Sequence, residues 1–347
     1  MPEPRRALVL SSLGRDSGCA LRARNVAKAL RLQGLDVVML EPALPNLPFG
    51  LESLLMLPWH CLAMLAYRPD LAVGIKPYPD VWLPLALART WGCLCCADVD
   101  DLDGAWRGGL AAWLLRAAQA PAWQLLDRFS SHHPALLAEL KARAPQAQVI
   151  ELVQGVDTGI FHPGAEPAPF PGRRLLLHPA HFNVASEAPR LLQCLAPWLK
   201  AHPQALLVLA GGGPHLGRIQ AQVQELGLQG SVHCTGQQAP EEIAKLMRAC
   251  DWMLAPYGPG AGNQHRVPMK VGEALACGAK VLTQPIPGIK PLQPWLYMAS
   301  EGDAGFAQAL DACWDQTGDG REALGAQHVA GAYGLQAVGR EFLAALG

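Results

Sequence analysis

Charge is scarce in this sequence: Asp, Glu, Lys and Arg together make up 16% of its 347 residues, and they nearly cancel to a formal net charge of −1. A chain with so little excess charge has no global basic field to recruit nucleic acid, so that class of partner is excluded. Few charges beside 50% apolar residues also exclude a disordered chain, which needs the opposite balance. Long apolar runs are missing as well. No stretch of about 18 uncharged apolar residues stands as a membrane-spanning helix. The nearest approach, residues 54–67, contains Pro58 and His60, and its length suits a core or interfacial helix. The opening Met1-Pro-Glu-Pro-Arg-Arg leads into Ala7-Leu-Val-Leu10, which is too short for a signal peptide and passes straight into a strand pattern.

Paired clusters of cysteine at metal-ligand spacing are also absent. Ten cysteines are present, but Cys93, Cys95 and Cys96 lie in the apolar run Trp91-Gly-Cys-Leu-Cys-Cys-Ala97 with no second ligand cluster to complete a site. They read as buried reduced thiols rather than a metal centre or a disulfide framework. A reducing cytoplasm is the expected location.

Glycine, by contrast, is placed with purpose. Leu206-Leu-Val-Leu-Ala-Gly-Gly-Gly-Pro214 is an apolar run of strand length broken by three glycines, and a helix-period pattern follows over residues 219–226. A second such unit is Trp252-Met-Leu-Ala-Pro256, then Gly258-Pro-Gly-Ala-Gly262, then residues 263–270, then the helical Val271-Gly-Glu-Ala-Leu-Ala-Cys277 closed by Gly278. Glycines let a backbone approach phosphate closely, and a helix N-terminus supplies unpaired N–H groups and partial positive charge. This stretch is expected to bind a phosphate.

Strand and helix patterns alternate through both halves. The first half reads as strands at 7–10, 37–40, 70–75, 93–97, 127–131 and 148–152, with helices at 20–33, 83–89 and 134–142 between them. A Pro- and Gly-rich stretch at 161–172 interrupts the rhythm and marks a boundary. Strands at 174–178, 206–210 and 231–235 then alternate with helices at 187–201 and 241–249, and an amphipathic helix closes the chain at 332–346. The fold class is therefore α/β: two doubly wound, Rossmann-like parallel-sheet domains, 1–165 and 166–330, facing across a cleft, followed by a C-terminal helix at 331–347 free to return to the N-terminal domain.

Four segments in order resemble one family, the retaining glycosyltransferases of family four with the GT-B architecture, or glycosyl transferases group one. They are Gln154-Gly-Val-Asp-Thr-Gly-Ile-Phe-His-Pro163, Ala210-Gly-Gly-Gly-Pro214, Leu226-Gly-Leu-Gln-Gly-Ser-Val-His-Cys-Thr-Gly236 and Pro268-Met-Lys-Val-Gly-Glu-Ala-Leu-Ala-Cys-Gly278. The resemblance implies transfer of a sugar from a nucleotide-diphosphate sugar to an acceptor hydroxyl with retention of configuration, in polysaccharide or glycoconjugate biosynthesis. It implies a donor-binding C-terminal domain, an acceptor-binding N-terminal domain, no cofactor beyond the donor co-substrate, and no catalytic metal. The acceptor is left open among carbohydrate, lipid-linked and small-molecule classes. Two alternatives stay open: a GT-B sugar-nucleotide epimerase, and a catalytically silent relative that binds without turnover.

On that resemblance Glu273 accepts hydrogen bonds from the nucleotide ribose, a task suited to a carboxylate that can receive two hydroxyls; its plain alternative is an acid stabilising a helix dipole. Lys270 and Arg266 neutralise the diphosphate. Gly212, Gly213, His181, Asn183, Asn263, Gln264 and His265 complete the expected donor side. Two departures from the family pattern stand out: His265 occupies the place of a second acid, and Pro179-Ala-His-Phe-Asn-Val-Ala-Ser-Glu187 carries no Arg or Lys before Arg190. On the acceptor side Asp98, Asp100 and Asp101 crowd after an apolar strand, where mutual repulsion raises a carboxylate pKa toward that of a base; a solvated turn is the alternative. Gly18, Lys76 and His132 are the further acceptor-side candidates. Trp106, Trp113 and Trp123 lie among Leu, Ala and Arg over residues 105–126, a composition of core helices or of helices lying on a membrane, which adds peripheral contact with the inner face as an expectation.

Overall fold

The computed structural model describes residues 5–14, 17–42, 51–100, 109–166, 169–183, 186–258, 263–264 and 266–347. The chain forms two compact units, one of residues 1–155 with 333–347 and one of residues 156–332.

Unit one runs β1 (Arg6–Ser11), α1 (Gly18–Leu32), β2 (Asp36–Leu40), α2 (Leu51–Tyr67), β3 (Leu71–Ile75), α3 (Pro79–Arg89), β4 (Leu94–Asp98), α4 (Gly109–Gln119), α5 (Ala122–Leu125), β5 (Arg128–Ser131), α6 (Pro134–Arg143) and β6 (Gln148–Glu151). Its sheet is parallel, ordered β2-β1-β3-β4-β5-β6. Strands such as Leu71–Ile75 are buried at every residue, because helices cover both faces and no side of the strand meets water. One face packs Ala23, Val26 and Leu30 of α1, and the other packs Val81 and Leu85 of α3 with Leu140 of α6. Each of the Val and Leu side chains among them, fully buried, contributes about 1.5–3 kcal/mol.

Unit two runs β7 (Arg174–Pro179), α7 (Ala188–Ala201), β8 (Ala205–Ala210), α8 (Leu216–Glu225), β9 (Val232–Gly236), α9 (Pro240–Ala249), β10 (Trp252–Ala255), α10 (Met269–Ala276), β11 (Val281–Thr283), a 3-10 helix (Pro287–Trp295), β12 (Tyr297–Met298), α11 (Asp303–Cys313) and α12 (Arg321–Ala332). The order β12-β11-β10-β7-β8-β9 is again parallel. Leu191, Leu192, Leu195 and Leu199 of α7 share one helical stripe and meet Ile219, Val223, Phe306 and Leu310 beneath the sheet.

The final helix, α13 (Leu335–Leu346), belongs to unit one and lies on α1. Gly339 makes this approach possible, since a Cβ there would stand 2.4 Å from the carbonyl oxygen of Ala29. The division between units falls at Gly155, ten residues before the expected boundary. The Pro- and Gly-rich stretch is held within unit two: Arg248 pairs with Glu166 at 2.6 Å and donates to the Ile160 carbonyl at 3.3 Å.

A buried ion pair ties unit one together. Arg22 of α1 donates Nε and Nη2 to the two carboxylate oxygens of Asp98 at 2.8 and 2.9 Å, and gives its remaining bonds to the carbonyls of Leu152 and Val153 and to Gln154 Oε1. Ser130 donates to the same carboxylate at 2.7 Å. Both charged side chains are at most 3% exposed. No helix among the described residues is long and apolar enough to cross a membrane.

Arg22→Leu should destabilise unit one by about 3–5 kcal/mol, because it strands a buried carboxylate. Adding Asp98→Leu should recover much of that loss. Denaturant titrations of the two variants against the parent protein check this; equal losses would exclude a buried-charge origin.

Candidate functional site

In unit two the chain builds β7, β8 and β9 outward, then returns to place β10 on the other side of β7. That reversal opens a crevice at the carboxyl ends of β7 and β10, the position where doubly wound sheets take ligands. Five residues converge there, four from positions 257–273 and one, Glu187, from 70 positions earlier. Lys270, in the first turn of α10, donates from Nζ to the carbonyl of Pro179 at 3.1 Å, at the very end of β7. Glu273 lies three residues on, and that spacing keeps it on the same helix face. Arg266 pairs with Glu187, which directly precedes α7. The Tyr257 ring lies 5.7 Å from Lys270 Nζ and 5.8 Å from the Arg266 guanidinium.

Burial governs the electrostatics of this group. It pushes the Glu273 carboxyl up to about 7, with Lys270 opposing the rise. It pulls the Lys270 ammonium down to about 8, opposed by Glu187 and reinforced by Arg266. Both groups are held poorly solvated and close to their switching point at neutral pH, the condition expected where a charged ligand completes the site. Burial also raises the Tyr257 hydroxyl well above its ordinary value, with Glu187 adding to the rise. His178, fully buried on β7, is pushed well below its ordinary value by burial and by Lys270. Its Nδ1 lies 2.9 Å from the Leu254 carbonyl, and a carbonyl can only accept, so Nδ1 carries the proton and Nε2 presents a lone pair. His178 Nε2 and the Tyr257 hydroxyl are both buried without a hydrogen-bond partner among the described residues.

Two of the three glycines after β8 serve close backbone packing. At Gly211 and Gly213, with φ of 151° and 141°, a Cβ would lie 1.8 Å from the Ala180 carbonyl oxygen and 2.5 Å from that of Phe182. The segment after β7 is thereby pressed onto the β8 turn, with Phe182 N–H donating to Gly212 O at 2.8 Å. His181 and Asn183 extend from that segment and are exposed. Asn263 donates to the Gly258 carbonyl at 2.7 Å and so shapes the loop it was expected to serve, while Gln264 is exposed. His265 lies outside the described residues. Arg190, three residues past Glu187, reaches the same loop by donating to the Pro256 carbonyl at 2.7 Å, and pairs with Asp303 at 3.0 Å.

Unit one has its own reversal, between β1 and β3. Lys76, directly after β3, has φ of 63°, a left-handed conformation costly for a side chain of this kind. Its amide is fixed by the Asp98 carbonyl at 2.9 Å, and its ammonium lies 3.8 Å from Asp100. Asp98 differs from its expectation. Rather than crowding with like charges alone, its carboxylate accepts from Arg22 and Ser130. Asp101 lies outside the described residues. Burial lowers His132 to about 3, with Arg22 adding to the fall, so it acts as a neutral imidazole. Its neighbour His133 is the N-cap of α6, accepting from Ala135 N–H at 3.1 Å. Gly18 opens α1 behind the N-cap Ser17, whose hydroxyl oxygen accepts from Ala20 N–H. The tryptophan stripe divides: Trp113 is 59% exposed, whereas Trp123 packs on Phe129 with ring centres 5.2 Å apart, and Trp106 lies outside the described residues.

Glu187, Tyr257, His178 and Arg190 were not flagged from sequence. Glu187 and Tyr257 each stand alone beside a strand end or helix start, and only the strand order brings them together. A partial signal existed, since a chain lacking Lys or Arg after β7 must find its cations from another segment.

Residues 166–292 match the family model described as Glycosyl transferases group 1. The alpha-monoglucosyldiacylglycerol synthase of Streptococcus pneumoniae is 30% identical over 121 residues, 35% of this chain and 26% of that protein. The D-inositol 3-phosphate glycosyltransferase of Corynebacterium jeikeium is 31% identical over 145 residues, 37% of this chain and 33% of that protein. The matches thus span about a quarter to a third of the length of these curated relatives. Among solved structures, the sucrose-phosphate synthase of Thermosynechococcus elongatus superposes with a TM-score of 0.72 at 18% identity, covering 97% of both chains. Anabaena HepE, solved in complex with UDP and glucose, gives 0.68 at 16% identity over 97% of this chain and 98% of that one. The fold is the two-domain, Rossmann-like α/β GT-B fold.

Glu273→Gln should raise the thermal midpoint of unit two at pH 8 and leave it little changed at pH 4. The folded carboxyl titrates near 7, above its unfolded value of about 4.3. Its favourable neutral form is therefore fully present below the unfolded value and lost as pH rises through about 7, a loss that Gln does not suffer. Calorimetric melts at both pH values decide it, and an equal shift at both would reject burial of the charge as the cause.

Proposed function

We propose that this chain, whose second unit carries the glycosyl transferases group 1 domain on a GT-B fold, moves a sugar from a nucleotide-diphosphate sugar to an acceptor hydroxyl with retention of configuration, in the assembly of a polysaccharide or glycoconjugate. The observation that carries the reading is the convergence of Lys270, Arg266 and Glu273 at the carboxyl ends of β7 and β10. In this reading Lys270 and Arg266 face the diphosphate and stabilise the charge that grows on it as the sugar departs. Glu273 accepts from the ribose hydroxyls, and α10, which has no side-chain cap at its N-terminus, turns its free N–H groups toward phosphate. The departing phosphate assists attack on the sugar's own face, so no protein nucleophile is required. On the acceptor side the work falls to Asp100, Lys76 and the neutral His132, since Asp98 is committed to Arg22.

Ten free thiols favour a reducing cytoplasm. A lipid-linked acceptor at the inner membrane face is supported by the exposed apolar side chains Leu55, Trp59 and Leu62 of α2 with Leu110, Trp113 and Leu114 of α4; such area on a monomer marks an interaction surface. Among residues 53–67 no Lys or Arg is present, so attachment through α2 is apolar in origin. Trp59→Ser with Trp113→Ser should release the protein from vesicles, and parental binding should persist in high salt. Co-sedimentation with neutral and anionic vesicles checks both points.

Incubation with a panel of UDP-, GDP- and ADP-sugars tests the activity. Release of nucleotide with acceptor glycosylation supports transfer, interconversion of the donor sugar supports an epimerase, and tight binding without turnover supports a silent relative. Glu273→Ala should weaken nucleotide affinity roughly tenfold to a hundredfold, the loss of charge-assisted hydrogen bonds worth about 1.5–3 kcal/mol. Affinity should peak between pH 7 and 8 and fall on either side, as Glu273 takes up its proton below about 7 and Lys270 loses its own above about 8. Isothermal titration across about pH 5.5–9.5 reads this directly; a flat profile would separate the nucleotide from both residues.

A further inference from the structure

Arg266 is already engaged: its guanidinium is paired with Glu187. The carboxylate is the better buried partner, 12% exposed against 32% for the guanidinium. Its place is set by α7, since Glu187 immediately precedes that helix and makes no side-chain cap bond to it; Ser186 instead accepts from Ala188 N–H at 3.3 Å. The acid is therefore free of the usual N-terminal capping duty, yet sits where the helix dipole favours negative charge. Two further groups of the crevice register that charge, for Glu187 raises both the Lys270 ammonium and the Tyr257 hydroxyl. A carboxylate and a phosphate oxygen make the same bond to a guanidinium. With Lys270 and Arg266 opposed by Glu187 and Glu273, the four side chains sum to no charge.

We infer that Glu187 is an internal anion that occupies the phosphate-binding face of Arg266 in the free protein and is displaced when a nucleoside diphosphate binds. The inference rests on the reading of unit two as the donor site and adds the residue that sets its affinity. An incoming diphosphate exchanges places with a carboxylate rather than filling a vacant cation, so its net gain at Arg266 is the difference between two similar bonds. The exchanged carboxylate stays tethered to α7 beside the ligand, where it repels phosphate charge. That repulsion grows after transfer, because the released nucleoside diphosphate carries more negative charge than the sugar-bearing donor. Glu187 thus acts as a positioning residue that weakens nucleotide binding and favours release of the product.

Calorimetric titration with UDP, GDP and ADP tests this on four full-length proteins: the parent, Glu187→Gln, Arg266→Gln and the double variant. For the nucleotide that the parent binds best, Glu187→Gln should bind about tenfold tighter, while its ligand-free melting midpoint falls and its nucleotide-induced rise grows. Once Arg266 is Gln, removing Glu187 should bring no more than about a twofold gain. Glu187→Asp, which keeps the charge on a shorter arm, should lie between parent and Gln and serves if the Gln variant folds poorly. Glu242→Gln, which removes an exposed acid paired with Lys245, should leave affinity at the parental value. If the parent binds and Glu187→Gln binds equally or more weakly, the internal-anion role is wrong and the donor site stands. An equal tenfold gain from Glu242→Gln would also overturn it, since net charge alone would then explain the effect. If no nucleotide binds any of the proteins, the donor-site reading fails and this inference with it.

Discussion

Opposite charges forced out of water onto one helical turn are the constraint around which unit two is arranged. Lys270 and Glu273 cannot both leave the helix face they share, because α10 is anchored by the buried Val271, Ala274 and Leu275. Packing therefore fixes where the two charges point, and the strand order fixes what they meet: the carbonyl end of β7, the Tyr257 ring and the Arg266–Glu187 pair. The cost of withholding solvent shows in both titrating groups, which move toward neutrality from opposite directions. Such a cost persists in a folded protein when a ligand or a neighbouring ion offsets it.

The same topology yields a different balance in unit one. At its strand reversal the charged groups are satisfied internally: Arg22 uses all of its donating nitrogens within the protein, and Asp98 receives three bonds. That arrangement rigidifies the sheet edge and leaves the backbone of Lys76 pinned in a costly conformation above it. Unit one thus neutralises a buried charge pair within itself, whereas in unit two Lys270 and Glu273 are shifted toward neutrality. The contrast fits the proposal that the donor is held by the second unit.

Much of this was legible in the sequence, and the failures have physical causes. Buried parallel strands announce themselves as short apolar runs, so the segments at 70–75 and 206–210 were placed within a residue of β3 and β8. Apolar periodicity alone starts a helix at Leu83, but α3 begins at Pro79, since proline fits the first turn where no amide is needed. The Pro- and Gly-rich stretch suggested a boundary by composition, yet it belongs to unit two, where Arg248 pairs with Glu166. For the site, Lys270 and Glu273 were legible because three residues of helix bring them together by local geometry. Glu187, Tyr257 and His178 were not, because their proximity depends on which strand lies beside which. Asp98 was misjudged for the same reason: its partner Arg22 is 76 positions away, and nearby acids in the sequence gave the wrong company.

The helix α13 closes over α1 in unit one although the whole of unit two is synthesised between them. As the chain leaves the ribosome, the second unit can complete its sheet while the first still exposes the apolar stripe of α1 that Val338, Phe342 and Leu346 will cover. The order of folding is therefore inverted relative to the order of synthesis for that last surface. During this interval the nascent N-terminal unit carries an uncovered greasy seam, and chaperone engagement is expected to concentrate there rather than on the later-made half.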